Sequence, residues 1–98
     1  MCYIVTMNSN KIDKKEEIAE IAKMLGKLKS QTETYNFLLE ILTESEVETL
    51  SKRWCILKML KAGKTQREIS RELNVSLCKV TRGSKILKNE KSVILNNL

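Results

Sequence analysis

The chain predicts an all-α fold of about six helices built around a helix-turn-helix. Three observations carry that expectation. In 98 residues there is no proline and there are three glycines, so little interrupts a helical backbone. Apolar residues recur at spacings of three and four, the period of a helix with one buried stripe. Ser/Thr-x-x-Glu signatures stand directly before such stretches, where a helix start needs them.

Taken in order, residues 1–10 are expected to form a disordered N-terminus. Met1–Met7 is mildly apolar, but it is too short for a signal peptide and lacks the basic start. A first helix runs from about Asp13 to Lys29, with Ile18, Ile21, Leu25 and Leu28 on one face. Gly26 weakens it near its end. Ser30-Gln31-Thr32 reads as a polar break, followed by a short apolar helix from Tyr35 to Leu42. Thr43 and Glu46 form a capping box for a central helix reaching about Ala62, with Val47, Leu50, Trp54, Leu57 and Leu60 on one side. Trp54 belongs to the core or its rim. Gly63 fits the C′ position, where a left-handed backbone ends a helix.

The stretch from Thr65 to Lys88 is the most informative. Thr65 and Glu68 cap a helix whose stripe is Ile69 and Leu73. Asn74 stands at the turn because it tolerates positive φ better than other non-glycine residues. Val75 plugs the turn from below, and Ser76 caps the second helix. Val80 points back at the stripe, leaving Leu77, Cys78, Lys79, Thr81 and Arg82 outward or flanking. A last short helix or tail follows at Ser92-Val93-Ile94-Leu95. The resulting division is residues 11–42 as N-terminal dimerisation helices, 43–88 as central helix plus helix-turn-helix, and 89–98 as a C-terminal piece.

Charge separates this pattern from an ordinary helical hairpin. Residues 1–50 hold six Lys against nine acids, a balance of −3; residues 51–98 hold twelve Lys and Arg against Glu68, Glu72 and Glu90, a balance of +9. Positive charge gathered on the half with the helix-turn-helix is what a polyanionic partner requires, here double-stranded DNA. The absence of His, of a C-x-x-C pair and of a Gly-rich phosphate loop argues against a metal site and against an enzyme. Three cysteines, an odd number, suit reduced thiols in the cytoplasm. No apolar run approaches the roughly 20 residues a membrane span needs, so no membrane partner is expected.

The apolar residues exceed what one small core can hold. The first helix, Phe37-Leu38-Leu39 and Val93-Ile94-Leu95 have no place in a three-helix reading domain. An intertwined homodimer would bury them and would set two recognition helices about one DNA turn apart.

From Leu38 to Lys88 the chain resembles the tryptophan repressor family. The resemblance rests on Leu42-Thr43-Glu44-Ser45-Glu46, Leu50-Ser51-Lys52-Arg53-Trp54, Gly63-Lys64-Thr65-Gln66-Arg67-Glu68 and Val80-Thr81-Arg82-Gly83-Ser84. It implies an all-α homodimer that represses transcription at palindromic operators, with no cofactor beyond L-tryptophan as corepressor, controlling genes of tryptophan biosynthesis or transport. It further implies that Arg82 stacks on the indole and meets the ligand carboxylate, that Gly83 lets the ligand approach the backbone, and that Thr43 and the Leu42 carbonyl form the partner subunit's side of the pocket. A second arginine is expected on the central helix. Gapless counting back from Gln66 puts Lys52 there, and alignment on Lys-Arg-Trp puts Arg53 there. Arg53 can equally be a surface partner of Glu46 or Glu48. Where the family pattern has a small polar residue near the ligand's amino group, this chain has Ile86.

For DNA the resemblance implies contacts from Gln66 and Arg67, the latter reaching a base. Leu77, Cys78, Lys79 and Thr81 lie on the recognition surface, joined by Ser70 and Ser76. Lys79, Lys85 and Lys88 are placed to meet phosphates, which position a protein without reading sequence. Two other readings stay open: a regulator of the same fold with no effector, and a basic adaptor or RNA binder. Only 4% aromatic residues disfavours recognition by base stacking.

Overall fold

A computed structural model describes residues 12–98. The expected disorder of residues 1–10 lies outside them. Among the described residues there are six helices and no strand: α1 Lys14–Lys27, α2 Gln31–Ile41, α3 Glu44–Lys61, α4 Gln66–Leu73, α5 Leu77–Lys88 and α6 Val93–Asn97. They fall into two compact units, the first ending at Ile41 and the second running from Leu42 to Leu98.

In the first unit, Asp13 caps α1 by accepting from the Lys15 and Glu16 amides. Neither α1 nor α2 buries a side chain fully. Ile12, Ile18, Met24, Tyr35, Leu39 and Ile41 are all exposed. The sequence reading starts α2 too late. Gln31 and Thr32 are helical, because Ser30 accepts from the Glu33 amide at 3.1 Å while the Glu33 carboxylate accepts from the Lys29 amide at 2.8 Å. The polar break is thus the cap of the helix.

In the second unit, both expected capping boxes form, Thr43 with Glu46 and Thr65 with Glu68. Two helices end in the same way. Lys64 N–H reaches the Met59 carbonyl and Gly63 N–H the Leu60 carbonyl; Val75 N–H reaches Ser70 and Asn74 N–H reaches Arg71. Each pair is a Schellman motif and needs one left-handed residue. Gly63 supplies it at φ 93° and Asn74 at φ 53°. Ser70 Oγ also donates to the Val75 carbonyl at 2.6 Å, tightening the turn. Asn74→Val is expected to cost about 1–2 kcal/mol through the left-handed penalty, and Asn74→Gly to be near neutral. Urea denaturation of both variants checks this.

The core is Ile56, Ile69 and Val80, one residue from each of α3, α4 and α5, with Met59, Leu60, Leu73 and Val75 packed around it. Burying side chains of this size is worth about 1.5–3 kcal/mol each. The expected stripe of α3 needs correction. Leu57 and Leu60 pack inward, but Leu50 and Trp54 are 44% and 47% exposed, and Ile56 takes the central place. The cause is the approach of α5. A Cβ on Gly83 would lie 2.9 Å from Ile56 Cγ2 and 3.3 Å from Leu60 Cδ1. A bare glycine lets α5 sit against the Ile56–Leu60 side of α3, which turns Leu50 and Trp54 to its margin.

One titration follows from the caps. Glu68 is held below the usual carboxylate range by the Thr65 amide, then by the Thr65 hydroxyl. A depressed folded value stabilises the fold above the unfolded value, about 4.3, and that contribution disappears as pH falls through the folded one. Wild type should therefore lose more stability than Glu68→Gln between pH 6 and pH 3, as thermal melts at each pH would read.

Candidate DNA interface and effector cavity

Helix α5 has two distinct sides. Its first turn and outward flank expose Leu77, Cys78, Lys79, Lys85 and Lys88, with Arg67 exposed on α4. None of these cations is neutralised: among the described residues the ion pair is Lys64–Glu72, at 2.7 Å. Gln66 and Thr81 are half-buried and joined, Thr81 Oγ1 donating to Gln66 Oε1 at 3.0 Å across α4 and α5. This bond occupies the Gln66 oxygen and leaves its NH2 group as the end able to donate outward. Thr81→Val, which removes the tether and keeps the shape, should weaken duplex binding several-fold with little change in melting temperature, by fluorescence anisotropy and circular dichroism. Ser76 caps α5 by accepting from the Lys79 amide. Ser70 spends its hydroxyl proton on the Val75 carbonyl.

The other side of α5 closes a cavity of about 230 Å³ against α3 and α6. Arg53, Trp54, Arg82, Ile86 and Ile94 are among its walls, with Gly83 beside Ile56 and Leu57, and the exposed Lys79 stands at the border between the two sides and also lines the cavity. Of the two candidates for a second arginine position, Arg53 lines the cavity and Lys52 does not. Arg53 makes no ion pair with Glu46 or Glu48; the Glu46 carboxylate accepts from the Thr43 amide instead. Leu42 and Thr43 lie at the start of α3 and are not among the lining residues.

Sequence reasoning missed the walls contributed by Leu50, Ile56, Leu57 and Ile94 and gave Trp54 only a packing role. Leu50, Arg53 and Trp54 share one helical face by spacing, which was a usable signal. Ile94 had none.

The chain that builds this exposed basic face and this cavity has relatives of known family. A family profile described as Trp repressor protein matches residues 16–96. The chain is also 34% identical over 70 residues to the Trp operon repressor homolog of Chlamydia caviae, covering 70% of this chain and 69% of that one. This chain belongs to the Trp repressor protein family. Its fold is that of the family, and its helix-turn-helix serves transcription regulation through DNA. No solved structure matches the chain significantly. No helix among the described residues is long and apolar enough to cross a membrane, and none of their His, Cys, Asp or Glu cluster as a metal site would require.

Proposed function

We propose that the protein is a cytoplasmic, homodimeric repressor that binds a palindromic operator when L-tryptophan fills the cavity between α3 and α5. One observation supports the effector part: the helix that presents Leu77, Cys78 and Lys85 outward also forms a wall of the cavity. A ligand that binds one posture of α5 better than another shifts the population toward it, and only that difference in affinity does work. Arg53 and Arg82 can stack on an aromatic face and pair a carboxylate, which lysine does poorly. Leu42 and Thr43 would reach the ligand from a second copy.

In this reading Arg67, Leu77, Cys78 and Thr81, with Gln66 held by Thr81, face the groove, while Lys79, Lys85 and Lys88 meet phosphates and Ser70 and Ser76 shape the turn that presents them. The dimer is supported by the exposed apolar side chains of α1 and α2. Selection from a random duplex pool, with and without L-tryptophan at fixed salt, tests the proposal. A palindrome enriched only with tryptophan is the expected result. The same palindrome in both arms would leave an effector-independent regulator, and enrichment in neither would leave a basic adaptor.

A further inference from the structure

Helix α4 sorts its charges by side. Its fully buried residue, Ile69, points into the core. At about 100° per residue, Arg67 and Arg71 lie about 40° apart on the outward face opposite Ile69. Glu68 and Glu72 fall together on one flank. Gln66 and Ser70 fall on the other, which is tied to α5 by the Gln66–Thr81 bond and to the turn by the Ser70–Val75 bond. Both acids are engaged elsewhere: Glu68 accepts from the Thr65 amide at 3.0 Å, and Glu72 from Lys64 Nζ at 2.7 and 2.9 Å. Arg67 and Arg71 are exposed and make no ion pair among the described residues. With Ser70 and Leu77 they line a shallow groove between α4 and the first turn of α5. Ser70 spends its proton on the Val75 carbonyl, so the groove's side-chain donors are the two guanidinium groups.

We propose that Arg71 holds a phosphate of the duplex backbone, in the groove it shares with Arg67 and one helical turn behind that residue. The inference rests on α4 and α5 docking on duplex DNA. An arginine that serves only to solvate a helix pairs with an acid three or four residues away. Here Glu68, three residues before it, is held by Thr65, and the adjacent Glu72 is held by Lys64. The planar fork of Arg71 is left free, and that fork matches a phosphate bidentately. Phosphate is favoured over a base edge because the first helix of a helix-turn-helix crosses the backbone while the second enters the groove. Such a contact adds affinity and salt dependence to every duplex alike and leaves the choice of sequence to other residues.

The test is a salt series between about 50 and 200 mM, read by fluorescence anisotropy of the full chain at one fixed L-tryptophan concentration. Two labelled duplexes are used, one of random sequence and the palindrome recovered by selection. In Arg71→Gln the slope of log affinity against log salt should fall by about 0.9 for each bound copy, with binding to both duplexes about ten-fold weaker at low salt. Arg71→Lys should keep most of the slope, since lysine meets phosphate as a point charge. Lys58→Gln removes an exposed charge on α3 that lines neither the groove nor the cavity, and should change the slope less than half as much. Melting temperatures should change little, because Arg71 is exposed and unpaired. A wild-type slope in Arg71→Gln would overturn the phosphate contact. So would a fall no larger than that of Lys58→Gln, which is the effect of net charge alone. A loss on the palindrome with none on the random duplex would overturn it in favour of base reading. Wild type binding neither duplex would overturn the DNA interface itself, and the inference with it.

Discussion

Arg82→Ala is expected to abolish the response of DNA binding to L-tryptophan while leaving the fold intact. Arg82 is exposed, lines the cavity and makes no ion pair among the described residues, so its removal leaves no buried charge behind. In the proposed reading it takes away a charge-assisted bond to the ligand carboxylate, about 1.5–3 kcal/mol, or roughly ten- to a hundred-fold in ligand affinity. Arg82→Lys keeps the charge but loses the planar fork, and should recover only part of the response. Anisotropy of a labelled operator, titrated with protein at zero tryptophan and at one fixed concentration that just fills the wild-type site, reads all three proteins. A fully responsive Arg82→Ala would remove the pocket assignment.

Gly83→Val should damage the fold itself. With a single Cβ already 2.9 Å from Ile56 Cγ2 and 3.6 Å from Leu57 Cδ2, two further methyl groups must push α5 off α3. Overpacking of this kind costs about 1–3 kcal/mol and sometimes more. In a domain of this size that is a fall of roughly 4–24 °C in melting temperature. Gly83→Ala is milder, since alanine returns about 1 kcal/mol of helix propensity. Combined with Ile56→Ala, it should cost less than the two single changes summed, because the atom it strikes has gone. A Gly83→Val protein melting within about 2 °C of wild type would mean that α3 and α5 are not in close contact. The resemblance gave Gly83 a role toward the ligand. The packing gives it a prior one, since the cavity exists only where α5 has come close enough to close it.

What could be read from the sequence was whatever local chemistry decides. The capping boxes at Thr43 and Thr65, the left-handed Asn74, the Ser76 cap and the inward Val80 each depend on neighbours within four or five residues, and each is where the pattern put it. The start of α2 was legible too, in Ser30 and Glu33, but the polar run masked the signature. The buried side of α3 was not legible. That helix carries apolar residues around much of its circumference, and the sequence contains no local sign of which part Gly83 will meet. Lys52 and Arg53 are adjacent, about 100° apart on a helix, so a one-residue uncertainty in register decides which one reaches the cavity. Ile94 lies 37 residues beyond Leu57 and joins the same wall only because α6 packs on α5.

The central claim is that a ligand in the α3–α5 cavity controls the reading helix. It is tested most directly by the operator affinity of the wild-type protein at near-physiological salt, measured with and without saturating L-tryptophan. At least a ten-fold gain in affinity with tryptophan is predicted, a shift of about 1.4 kcal/mol between postures. Equal affinities in the two conditions, with tryptophan shown by calorimetry to be bound, would contradict it.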